Sequence, residues 1–142
     1  MNTVVARDLK SIQTNLLKLE FMYSRNRLAQ YQPYPKQREF HAAGKNFRER
    51  LLRAGNQLGK TLAAANEVGM HLTGRYPEWW EGKVFDMPNN WLAGSETGEL
   101  TRRGVQRLLI GRDLEENLGT GTIPYNTIAG ISRARGLSDL VF

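Results

Sequence analysis

The 142-residue sequence has no cysteine, only two histidines, and no apolar run long enough to cross a bilayer. With no cysteine, disulfides have no support. His41 and His71 are too few to build a histidine metal site, and Ser95 has no histidine or carboxylate partner at a useful spacing, so nucleophilic catalysis is not indicated. With no signal-peptide segment and no spanning helix, the expectation is a cytoplasmic protein with no membrane partner.

Charge of both signs is present but uneven. Residues 1–60 hold 12 Lys+Arg against 4 Asp+Glu, net +8, whereas residues 61–142 hold 8 against 10, net −2. A basic front half favours a phosphate or nucleic-acid partner, although a solvated basic helix face would give the same count.

The segment Arg53-Ala54-Gly55-Asn56-Gln57-Leu58-Gly59-Lys60-Thr61 carries the sharpest chemistry. It follows the short apolar pair Leu51-Leu52 and opens into Leu62-Ala63-Ala64-Ala65, in the order of a strand, a phosphate-binding loop and a helix. In such a loop the backbone of Ala54, Gly55, Asn56, Gln57, Leu58 and Gly59 wraps a β-phosphate. Lys60 reaches the β/γ oxygens, and the Thr61 hydroxyl ligates Mg²⁺. The expected ligands are ATP and Mg²⁺. The pattern departs from the strict one in having Ala54 where the first glycine belongs, with Gly55 one place later.

Around this loop, Leu9, Ile12, Leu16, Leu19 and Tyr23 recur at helical spacing and predict an amphipathic helix of about twenty residues. A second helix is expected from Lys36, burying Phe40, Gly44 and Phe47. A third runs from Lys60 to Thr73 and stops at Gly74. Trp91-Leu92-Ala93-Gly94 reads as a strand and Glu99 to Ile110 as a helix carrying Arg102, Arg103 and Arg107. Residues 119–124 read as turns, and Leu140-Val141-Phe142 as the start of another strand. No acidic residue after Thr61 follows an apolar run of four, so the Mg²⁺-holding strand of an ATPase is not found. The expected fold is α/β: an incomplete P-loop NTPase (RecA/ASCE-like) three-layer sandwich. A basic helical segment over 1–31 precedes the front part of the ATPase domain over 32–142.

Taken together, these stretches resemble the large terminase subunit of tailed bacteriophages, the ATP-driven motor that packages double-stranded DNA. Tyr34-Pro35-Lys36-Gln37-Arg38-Glu39-Phe40-His41 is similar to the adenine-reading segment of that family, with Gln37 in the place of the reading glutamine. A glutamine amide both donates to and accepts from the N6/N7 edge of adenine. The loop from Arg53 to Thr61 resembles the family's deviant phosphate loop, whose first glycine is often replaced; some members carry arginine where Asn56 stands. Tyr76 to Gly82, Ala93 to Thr97 and Gly119 to Pro124 resemble the same family, so the likeness covers roughly residues 32–142.

The resemblance implies an ATP-binding portion of a DNA translocase with Lys60 in a catalytic role and a weaker assignment of Arg102 and Arg103 to the transition-state arginine. It implies double-stranded DNA, a portal protein and a small terminase subunit as partners, a homo-oligomeric ring, and a place in host cytoplasm and transiently at the procapsid. The acidic strand and nuclease domain would lie beyond Phe142. Alternatives are a helicase-like ATPase, a small kinase, which would lack the Gln37 segment, or a fragment that binds nucleotide or DNA without turnover.

Overall fold

The chain folds around one short helix. In the computed structural model, which describes residues 2–112, 117–134 and 137–141, helix α3 spans Lys60–Thr73 between two left-handed glycines, Gly59 and Gly74. It buries Ala63, Ala65, Asn66, Glu67, Gly69, Met70 and His71. A helix buried on so many sides is packed on more than one face. Small residues make that possible: a Cβ added at Gly69 would sit 3.3 Å from Leu28 and 3.5 Å from the Thr122 carbonyl.

Two apolar clusters share α3. On one side Ala65 meets Leu109, Ile110 and Ile123, with Val68, Leu72, Val105 and Ile131 around them. On the other Met70 meets Leu28 and Tyr31, ringed by Tyr76, Trp79 and Trp80. Leu28 lies in a 3₁₀ turn, Arg27–Gln30, that follows the long helix α1, Asn2–Ser24. Helix α2, Pro35–Ala43, starts with the proline that favours a first helical position.

The helix expected over 99–110 forms, but in three pieces: an α-turn α4 at Gly98–Leu100, a π-helix at Thr101–Gln106, and an α-turn α5 at Arg107–Ile110. It ends at Gly111, as expected. Segment 119–123 then returns over α5 and α3: the amides of Gly119, Thr122 and Ile123 donate to the carbonyls of Ile110, Leu108 and Leu109. The Thr122 hydroxyl donates to Ala65 O at 3.2 Å. Strands β1, Gly130–Ala134, and β2, Leu137–Val141, pair antiparallel with Ile131 opposite Leu140. Phe142, expected in the last strand, lies outside the described residues.

Several expectations fail. Leu51-Leu52 and Trp91-Leu92-Ala93-Gly94 are irregular. Leu51 is 81% exposed and Leu92 fully so, and a strand with no apolar face against a neighbour has nothing to hold it. β1/β2 is the one sheet among the described residues, and it is not parallel. Phe47 is 63% exposed because α2 stops at Ala43 and the chain turns away; the buried residues of α2 are Gln37 and His41.

Gly111 has φ +104° and Gly74 φ +66°, but their surroundings differ. A Cβ at Gly74 would meet nothing within 4 Å, whereas at Gly111 it would be driven into the Asn117 carbonyl and the Thr120 hydroxyl. Gly74→Ala is therefore expected to cost about 1–2 kcal/mol, and Gly111→Ala more than about 3 kcal/mol from backbone strain plus overpacking. Urea unfolding of the two variants checks the order; equal losses would mean that the 111–120 contact contributes nothing.

Candidate nucleotide-binding site

Residues 53–58 are exposed and irregular, and they curl because Gln57 (φ +62°) and Gly59 (φ +71°) both take left-handed backbone. The curl encloses the side chain of the first residue of α3. Lys60 Nζ donates to Ala54 O at 2.8 Å and to Gly55 O at 2.6 Å. Thr61 stands exposed in the first turn of the helix. The first amides of an α-helix lack partners within it and carry partial positive charge. The ammonium, the helix terminus and the exposed loop therefore converge on one cationic, anion-accepting place, which suits a polyphosphate.

Gln37 is buried, and its amide is in use at both ends. Oε1 accepts from the Tyr34 amide at 2.9 Å, which caps α2. Nε2 donates to Gly59 O at 3.3 Å and Leu58 O at 3.5 Å, which ties α2 to the loop before α3. Tyr34 is exposed beside it. The structure thus brings Gln37 and the loop together, 23 positions apart in the sequence. Arg102 and Arg103 are not brought there: both are exposed, Arg103 pairs with Glu99 at 3.0 Å, and no hydrogen bond or ion pair links either to residues 54–61 among the described residues.

Behind the loop lies a cluster that the sequence did not single out. Glu67, two turns along α3 from Lys60, is buried. Its carboxylate accepts from His41 Nδ1 at 2.7 Å, from Arg50 Nη1 at 3.2 Å and, on the other oxygen, from Arg50 Nη2. His71 Nε2 lies 3.5 Å away. A carboxylate can only accept, so the proton of His41 toward Glu67 sits on Nδ1. The far nitrogen of His41 meets the Tyr31 hydroxyl at 3.0 Å, and His71 Nδ1 meets the Tyr76 hydroxyl at 3.1 Å. Burial alone would push the Glu67 pKa up. The hydrogen bonds from His41, His71 and Arg50, with the Arg50 charge, outweigh it and hold the carboxyl far below the usual range. Burial and the Glu67 charge push the Tyr31 hydroxyl up to about 12, so it stays protonated. The signal available in the sequence was spacing: Gln37 with His41 and Glu67 with His71 are both i,i+4 pairs. Arg50 carried none.

Residues 51–141 match the family described as terminase large subunit, T4likevirus-type, N-terminal. The sequence is 41% identical over 128 residues to the protein named "Terminase, large subunit" of Salmonella phage P22, covering 80% of this chain and 26% of that protein. This chain thus spans about a quarter of the length of that relative. No solved structure matches.

Because Glu67 is ionised in the fold at a pH where the unfolded chain would bind a proton, its contribution is complete above the ordinary carboxyl pKa of 4.5 and declines as pH falls below it. Glu67→Gln removes the buried anion and strands Arg50, at an expected cost of about 3–5 kcal/mol at pH 7. The gap to the parent protein should narrow as pH is lowered below 4.5. Chemical denaturation at pH 7 and pH 3.5 measures it, and a gap independent of pH would remove the assigned ionisation.

Proposed function

The chain belongs to the large terminase subunit family, and from that membership we propose that it is the ATP-binding front part of a P-loop sandwich in a DNA-packaging motor. The observation that carries the reading is the loop curled around Lys60 at the start of α3, tied to Gln37. In this reading the ammonium of Lys60 leaves the carbonyls of Ala54 and Gly55 for the β/γ-phosphate oxygens. The loop amides and the α3 terminus receive the remaining charge, and Thr61 holds Mg²⁺. Bound Mg²⁺ would offset the negative charge of the triphosphate.

The bonds of Gln37 to Gly59 O and Leu58 O are at the long limit for hydrogen bonds. They are the ones an adenine edge can replace at little cost, and Tyr34 is exposed alongside to stack on a base. The basic front half fits double-stranded DNA as the translocated substrate. The motor would be a homo-oligomeric ring working in the host cytoplasm with a portal protein and a small terminase subunit. Arg102 and Arg103, exposed on the π-helix, would be offered outward to a neighbouring subunit's phosphates rather than to their own. Among the described residues no helix is long and apolar enough to cross a membrane.

Lys60→Ala is expected to weaken binding of a fluorescent ATP analogue with Mg²⁺ by about 1.5–3 kcal/mol, roughly 10- to 150-fold, while leaving the fold intact. Unchanged affinity would sink the site. Gln37→Ala should lower affinity for ATP more than for GTP; equal losses would leave Gln37 only its tether to the loop.

A further inference from the structure

Helix α1 belongs to neither apolar cluster. Its 23 residues extend about 34 Å at the usual rise, and Leu9, Ile12, Leu16, Leu19 and Tyr23 are all between 54% and 68% exposed. These five are spaced by three and four residues in alternation, which is the 3.5-residue repeat of a coiled-coil seam, and the exposed Leu17 and Met22 widen it on its two flanks. The fold meets α1 on the opposite side. Phe21 packs edge-on against Tyr125 with ring centroids 6.4 Å apart, and Arg25 lies 4.3 Å over the Phe21 ring. Phe21 is two places after Leu19 and two before Tyr23, so it points some 160° from the seam at 100° per residue. The body therefore meets the helix at its C-terminal end, where Leu19 and Tyr23 also border a hollow shared with Gln30 and Tyr125, and it leaves Leu9, Ile12 and Leu16 open.

We propose that α1 pairs antiparallel with α1 of a second copy of this chain. Leu9, Ile12, Leu16 and Leu19 are placed symmetrically about position 14. Antiparallel pairing sets Leu9 against the partner's Leu19 and Ile12 against the partner's Leu16, so every apolar residue in those layers meets another. Along the flanks the arrangement brings Gln13 to the partner's Gln13 and Asn15 to the partner's Asn15, amide pairs that hydrogen-bond each other. Asp8 and Glu20, the acidic residues beside the seam, fall on the same flanks and at nearly the same heights as the partner's Lys18 and the partner's Lys10. No like charges face each other, and a self-complementary surface of this kind specifies a closed two-fold contact. Orientation follows from the body: antiparallel pairing puts the two bodies at opposite ends, whereas parallel pairing would place both at one end. The contact closes on itself, so it is separate from the ring contacts of the proposed motor.

The absence of cysteine makes the test clean. Sedimentation equilibrium of the 142-residue chain should give a dimer in the micromolar range, and Leu16→Asp, at an exposed position, should give a monomer with unchanged near-UV spectrum. Single variants Asn15→Cys and Leu9→Cys are then oxidised. Antiparallel pairing predicts a disulfide dimer for Asn15→Cys and little for Leu9→Cys. A monomeric parent chain, or crosslinking of Leu9→Cys as fast as Asn15→Cys, overturns the proposal.

Discussion

A single buried carboxylate holds the described structure together. Glu67 sits between α2, α3 and the segment that leads into the loop over residues 51–59, and it takes hydrogen bonds from His41 on the first, His71 on the second and Arg50 on the third. An ionised carboxylate in a nonpolar interior is tolerated only where its lone pairs are filled and its charge is balanced. Here Arg50 supplies the opposite charge and the two histidines fill the remaining directions. Each histidine then passes the requirement outward: His41 to the Tyr31 hydroxyl, His71 to the Tyr76 hydroxyl, and Tyr76 in turn to the Phe85 amide. Aromatic rings close over the network, with Trp80 within 5.6 Å of both imidazoles.

That arrangement explains how the loop over residues 51–59 keeps its shape without a strand leading into it. Residues 51–59 are irregular, yet both ends are fixed. Upstream, Arg50 is locked to Glu67 and donates to Phe40 O at 2.7 Å. Downstream, Gly59 is the first residue of the α3 cap and is held by Gln37. The loop is a short span between two anchors on the same α2–α3 unit, and ordering it costs less chain entropy than a free loop of that length. The side chain of Lys60 fills its interior through carbonyl contacts that an anion can displace.

Local signals were legible and long-range ones were not. The α3 boundaries were readable because Gly59 and Gly74 bracket a run of good helix formers, and Gly111 closed the helix after Arg107 for the same reason. The Gln37-to-loop connection came from a family likeness, and the structure adds that the same amide caps α2. Strands at Leu51 and Trp91 were misread because short apolar words carry no information about a partner strand. Trp91 instead stacks on His71, rings 5.2 Å apart and 13° from parallel. Of the Glu67 cluster only the i,i+4 spacing of Glu67 and His71 left a trace, because its members are spread over Tyr31, His41, Arg50, Glu67, His71 and Tyr76. No periodicity announces a buried polar network assembled from five segments.

Rigidity of α3 gives these parts a common mechanical axis. Its first residue, Lys60, lies in the loop; two turns on, Glu67 anchors Arg50; at its last turn His71 stacks on Trp91 and accepts or donates at Tyr76. A helix bonded along its length is stiff, so the element that ends the loop at Gly59 also fixes the positions of Glu67 and His71. The Glu67 anchors are buried and multiply bonded, whereas Glu78, Glu81, Lys83, Val84 and Met87 on segment 76–91 are exposed. The same segment also packs inward through Tyr76, Trp79 and Trp80, which join it to the Met70 side of α3.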